Sequence, residues 1–221
     1  MFTMINFKSE PKKTFFAPEW NYYLFERKID KIDFVNLTNF LISKEEEILK
    51  LPTRKDNNNK FTDGYTGLGE KSTTARFNKY NVFNWDNENI KKIKKEILNF
   101  HEDVLKYFKQ PLPNELYINC WTNIMRKGEK IKPHIHGITP TTYLGGHICV
   151  QCDGTSTHYL NPINQINDPF KYSSKNEVGK ITLFQNNIPH YTDVHNSNKE
   201  RITIAFDLHT FMLDKIHIKL I

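Results

Sequence analysis

Cysteine is scarce and odd in number, with three in 221 residues. An odd set this small excludes a disulfide framework as the source of stability. Cys149-x-x-Cys152 is half of a zinc motif, but no second CxxC follows, so the pair reads as thiols on a strand beside an Asp153-Gly154 turn. Long hydrophobic runs are missing too. No stretch approaches the roughly 20 apolar residues that span a bilayer, and the mean hydropathy is −0.62. Both argue against a membrane protein. The opening residues 1–16 lack an apolar core of signal-peptide length, so a cytoplasmic protein is expected. No internal repeat is visible.

What is present suits one folded unit. Hydrophobic residues make up 38% of the chain and aromatics 13%, enough for a sizeable core in a single domain. The formal net charge is +6, which would suit an acidic partner such as nucleic acid. The lysines are nevertheless spread along the chain. Lys91, Lys92, Lys94 and Lys95 cluster on an amphipathic helix, where a solvated face accounts for them.

Helical spacing dominates the first half. Over residues 32–51, Phe34, Leu37, Phe40, Leu41, Ile48 and Leu49 form a helical stripe. A second helix starts at an Asp86 or Asn87 cap and carries Ile90, Ile93, Ile97, Val104, Leu105 and Phe108; Pro111 and Pro113 end it. Between them, residues 53–69 are polar and rich in Asn and Gly, a mobile loop of the kind that often covers a site. Strand patterns then take over at residues 115–125, 143–151, 180–184 and 200–210. This order predicts N-terminal strands and support helices over 1–114, a β-barrel or sandwich core over 115–210 with helices packed on one sheet, and a C-terminal tail over 211–221.

The last of these strands has two distinct faces. Ile202, Ile204, Phe206 and Leu208 share one; Arg201, Thr203, Ala205 and Asp207 share the other. The second set describes a barrel interior that binds something polar, although a solvent face would alternate in the same way. His134-x-His136 puts two imidazoles on one side of an extended segment, because the side-chain period there is 2. His190, after Ile188-Pro189, can close a metal site with them, since neutral imidazole ligates iron, zinc, nickel and copper. His147 is the best outsider. His101 and His158 have no evident partner, and His209 and His217 lie near the C-terminus.

Taken in order, Trp121-x-Asn123, Gly128, His134-x-His136, Gly145-Gly146, residues 179–184 (Gly-Lys-Ile-Thr-Leu-Phe), His190 and Arg201-x-Thr203 resemble the 2-oxoglutarate- and Fe(II)-dependent oxygenases, particularly their prolyl-4-hydroxylase-like bacterial and phage members. The stretch from Ser72 to Phe77 and then Tyr80-Asn81-Val82 looks like the region before the barrel in such proteins. The resemblance implies a double-stranded β-helix, or jelly-roll, and a hydroxylase that couples oxidative decarboxylation of 2-oxoglutarate to C–H oxidation with O2. It implies His134, His136 and His190 as iron ligands and Arg201 as the partner of the distal 2-oxoglutarate carboxylate. Thr203 and Asn123 would add bonds to the same co-substrate. Met125 stands where some relatives have Tyr, and His136 where most have Asp or Glu. A carboxylate from elsewhere, Asp153 or Asp193, is the alternative third ligand. The primary substrate is a peptide or prolyl residue, a small molecule or a nucleic acid. The spacing of Gly128, His134, His136, Gly179 and His190 also resembles a cupin, which would need no 2-oxoglutarate. A non-catalytic barrel module is the third reading.

Overall fold

The computed structural model describes residues 1–163 and 170–221. Its helices begin where the capping chemistry puts them. Asp33 accepts a hydrogen bond from the Asn36 amide and opens α1 (Phe34–Leu49). Asn87 accepts from the amides of Asn89 and Ile90 and opens α2 (Glu88–Tyr107). Such caps satisfy amides that have no partner within the helix. Leu37, Leu41 and Ile48 of α1 are buried, as are Ile90, Ile93, Ile97, Phe100 and Val104 of α2. Lys91, Lys92 and Lys95 point into solvent, so the basic cluster is the outer face of α2.

The strands form two antiparallel sheets. The larger sheet runs β1 (Thr3–Lys8), β2 (Asn21–Lys28), β7 (Lys180–Gln185), β4 (Leu144–Gln151), β9 (Arg201–His209), β3 (Tyr117–Met125) and β10 (Ile218–Lys219). The smaller runs β6 (Lys171–Lys175), β5 (Ser156–Leu160) and β8 (His190–Thr192). The N-terminal hairpin therefore extends the barrel sheet itself, with Leu24 opposite Phe184. Within the C-terminal tail, Ile218 pairs with Ile118. Leu37, Leu41, Ile93, Ile97 and Phe100 share one core with Ile118, Ile148, Ile181, Ile202 and Ile204. The two helices thus back one face of the large sheet, and the expected jelly-roll with N-terminal helices on one sheet is what the chain adopts. Among the described residues no helix is long and apolar enough to cross a membrane.

The central strands set the register of the site. On β9, Asp207, Ala205, Thr203 and Arg201 stand opposite Asn119, Trp121, Asn123 and Met125 of β3. On the other side, Asp207 faces Gly145 and Ala205 faces His147 of β4. Gly146 has no room for a side chain: a Cβ there would strike the Phe206 ring and lie 2.6 Å from the Thr182 carbonyl oxygen.

Candidate active site

The histidine pair lies on less regular backbone than alternation alone predicts. After β3 the chain leaves the sheet, turns at Gly128 (φ +91°) and meets β8 through one isolated bridge, His134 to His190. The His134 amide donates to the His190 carbonyl at 3.1 Å and the His190 amide returns the bond at 3.0 Å; the His136 amide donates to Asn186 O at 2.9 Å. His134 is the bridged residue, His136 lies at a bend, and the Thr192 amide donates to Ile131 O at 3.1 Å farther back.

One nitrogen from each of His134, His136 and His190 lies within 4.8 Å of the others. The ring centroids are 4.3 Å apart for His134 and His190, 5.0 Å for His136 and His190, and 5.5 Å for His134 and His136. The outward nitrogens fix the tautomers. His134 Nδ1 is 2.9 Å from Lys132 O and His190 Nδ1 is 3.0 Å from Ile188 O. A carbonyl oxygen can only accept, so each Nδ1 carries the proton and each Nε2 keeps its lone pair. His136 Nδ1 lies 2.5 Å from Asp207 Oδ1, which assigns it the same tautomer. Burial, and then the neighbouring His136, push His134 down to about 4. Burial likewise holds His190 well below the usual imidazole range. Three imidazoles whose free nitrogens lie this close together are a donor set that fits a divalent transition metal.

The imidazoles open onto a cavity of about 290 Å³, whose wall includes Asn123, His147, Thr157, Arg201, Thr203 and Asp207. Arg201 is 1% exposed. Its Nη1 reaches Met125 Sδ at 3.4 Å and its Nη2 reaches Thr157 Oγ1 at 3.4 Å. Its Nε has no partner, and it forms no ion pair among the described residues. Burial lowers its pKa. A buried, uncompensated guanidinium costs several kcal/mol, and an anion entering the cavity would offset that cost. The guanidinium fork matches a carboxylate.

Thr203 Oγ1 receives a bond from Asn123 Nδ2 at 3.3 Å, and Asn123 Oδ1 receives one from Thr74 Oγ1 at 2.6 Å. Asn123 is thus largely spent on positioning Thr203, whose own hydroxyl proton stays available to the cavity. His147 lies on the same wall and is pushed down to about 3 by burial and then by the charge of Arg201.

The carboxylates considered for the third ligand lie elsewhere. Asp153 is exposed in its turn. Asp193 accepts from the Ser156 amide at 2.8 Å and meets His158 Nε2 at 2.8 Å, and neither residue lines the cavity. Asp63 and Asp207 both line the cavity, and Asp207 is the one bonded to an imidazole of the cluster. The two-residue period places it on the inward face with Arg201 and Thr203, but which imidazole it meets depends on a loop with no period to read. Thr157 was hidden for a similar reason, since β5 is short and polar. Cys149 is buried near Asn176 Oδ1 (3.6 Å), and both Cys149 and Cys152 are free thiols outside the histidine cluster. His101 is buried against the Tyr143 hydroxyl (2.8 Å), and His209 packs on His217. The loop over residues 53–69 does reach the site and lends Arg54, Asp63, Tyr65 and Thr66 to the cavity lining.

Residues 119–207 match a family model described as "Putative 2OG-Fe(II) oxygenase". No curated protein matches the chain. Among solved structures, a prolyl-4-hydroxylase from Pseudomonas putida is 10% identical, with a TM-score of 0.54 over 84% of this chain and 91% of that one. A prolyl hydroxylase from Trichoplax adhaerens, solved with a peptide fragment of the hypoxia inducible factor oxygen degradation domain, is 11% identical, with a TM-score of 0.48 over 84% of this chain and 83% of that one. The first likeness establishes the barrel fold. The matched stretch contains the histidine cluster and the buried arginine alike, and over it the chain is similar to the 2-oxoglutarate- and Fe(II)-dependent oxygenases.

Proposed function

We propose that the Nε2 atoms of His134, His136 and His190 hold the Fe(II), that Arg201 and Thr203 hold the distal carboxylate of 2-oxoglutarate, and that the enzyme is a hydroxylase. The observation that carries this reading is the buried Arg201, which lacks an anionic partner and faces the same cavity as the three free imidazole lone pairs. When bound, the iron with 2-oxoglutarate and O2 supplies oxidative decarboxylation to succinate and CO2, coupled to oxidation of a substrate C–H bond. The chain's own part is to hold, orient and shield. Thr157 and Met125 fix the Arg201 fork, and Asn123 turns the Thr203 hydroxyl. Trp121, Phe184 and Ala205 line the apolar wall that excludes water. A cupin-type enzyme without an acidic co-substrate would leave Arg201 as an uncompensated charge.

The substrate side is proposed to be the rim. The Arg54 guanidinium lies 4.4 Å from the Phe77 ring centroid and is partly desolvated, which lowers its pKa. It is a cation at the cavity mouth with no ion pair among the described residues, so a substrate with an anionic group, a small molecule or an acidic peptide, suits it best. The deciding experiment is thermal unfolding of the Fe(II)-loaded protein under anaerobic conditions. 2-Oxoglutarate at 100 times its Kd should add about 2.7 kcal/mol. Arg201→Ala should lose that gain and keep its metal. Iron-loaded wild type indifferent to 2-oxoglutarate would end this reading.

A further inference from the structure

We propose that Asp207 supplies, through His136, the negative charge that the metal's own ligand set lacks. The inference rests on the three-histidine reading above. Iron(II) oxygenase sites with open positions commonly use two imidazoles and one carboxylate; here all three ligands are neutral. The three are not equivalent, however. His134 and His190 donate their Nδ1 protons to backbone carbonyls, whereas His136 donates to a carboxylate 2.5 Å away. A carboxylate accepting from a ligating imidazole raises that ring's basicity and fixes its orientation. The charge is displaced by one ring and still reaches the metal.

The surroundings are built for this pair. Both side chains are largely buried, at 8% and 15% exposure. Asp207 faces Gly145 across the β4–β9 ladder. A Cβ at Gly145 would run into Asn186 Oδ1 and lie 2.9 Å from His136 Nδ1 and 3.0 Å from Asp207 Oδ1. The pair fills the space a side chain at 145 would need. A metal dication and the Arg201 cation would together meet a co-substrate dianion, which leaves one positive charge to offset. Asp63 lines the same cavity, but Asp207 is the carboxylate bonded to one of the three imidazoles.

The test uses the full chain with anaerobic Fe(II), and with Zn(II) as an air-stable probe, and measures metal affinity. Asp207→Asn keeps an acceptor for the His136 proton and removes only the charge; affinity should fall about 10- to 100-fold. His136→Asp alone sets two carboxylates side by side and should also bind more weakly than wild type. The double variant H136D/D207N moves the charge onto the metal and should recover most of the loss. Unchanged affinity in Asp207→Asn, or no recovery in the double variant, overturns the proposal. One measurement needs no variant: in the Zn(II)-loaded wild type the His136 Nδ1 proton should resonate far downfield, bonded to a carboxylate, and its absence there overturns the proposal as well. If wild type binds no metal, or binds it unchanged when His134 and His190 are both replaced by Ala, the three-histidine reading fails instead.

Discussion

Arg201 combines complete burial with the lack of an anionic partner, and the two together make an unusual energetic demand. In most cores, cutting away a charged side chain exposes its former partner. Here there is none to expose, because the guanidinium touches a thioether and a hydroxyl at 3.4 Å. Replacing it with an apolar side chain of similar length should therefore leave the ligand-free protein as stable as before or more so. Arg201→Met should unfold in denaturant within about 1 kcal/mol of wild type, or at higher stability, while losing all stabilisation by 2-oxoglutarate. Arg201→Lys should also bind the co-substrate poorly, because an ammonium cannot form the fork. A loss of several kcal/mol in ligand-free Arg201→Met would show that Arg201 is structural. The inward face that carries Arg201 was legible in its two-residue alternation. Its isolation was not, because alternation gives the direction of a side chain and says nothing of what lies opposite.

Elements differ in how openly the sequence declares them, and the reason is physical. α1 and α2 carry caps and apolar stripes, so residues 32–51 narrow only to Phe34–Leu49. The long strands β3, β4, β7 and β9 carry enough apolar residues to stand out. β5 and β8 do not: Thr157 and Thr192 are buried beside His158 and Tyr191, so their pattern reads as loop although both strands line the cavity side. One buried polar group sits between the helical layer and the barrel. His101 of α2 is fully buried, with Nε2 2.8 Å from the Tyr143 hydroxyl, and burial pushes it down to about 4. Its folded pKa lies below the unfolded value of roughly 6.5, so the unfolded chain binds the extra proton first. The stability tied to a neutral His101 is complete above about pH 6.5 and is lost as pH falls toward 4, at up to about 1.4 kcal/mol per pH unit. Since His134, His147 and His190 act in the same direction, the informative quantity is a difference. Denaturant unfolding of wild type minus His101→Gln across pH 4 to 7 should slope with that sign. A difference independent of pH would mean that His101 titrates alike in both states.

At the scale of the molecule, the proposed ligands join two sheets that otherwise meet mainly through side chains and loops. Arg201 and Thr203 belong to the large sheet; His190 belongs to β8 of the small one, and His134 is bridged to it. The exposed lysines of α2 lie on the helical layer outside the barrel, so the net charge of +6 does not by itself mark the cavity. In the proposed reading the metal with its co-substrate would link the two halves of the site, one held from the small sheet and the loop, the other from the large sheet. Binding energy spent across that gap should suppress the local opening of β5, β6 and β8, whose short ladders make them the weaker sheet. Hydrogen exchange should therefore slow most at Thr157, Tyr159 and Thr192 when Ni(II), as a redox-inert metal, and 2-oxoglutarate are present together, and less with either alone. By linkage, the factor by which 2-oxoglutarate tightens Ni(II) binding must equal the factor by which Ni(II) tightens 2-oxoglutarate binding. Both factors should collapse toward one in Arg201→Ala. If protection instead rises evenly over the whole barrel, or equally with metal alone, the co-substrate is not bridging the sheets and Arg201 is not its anchor.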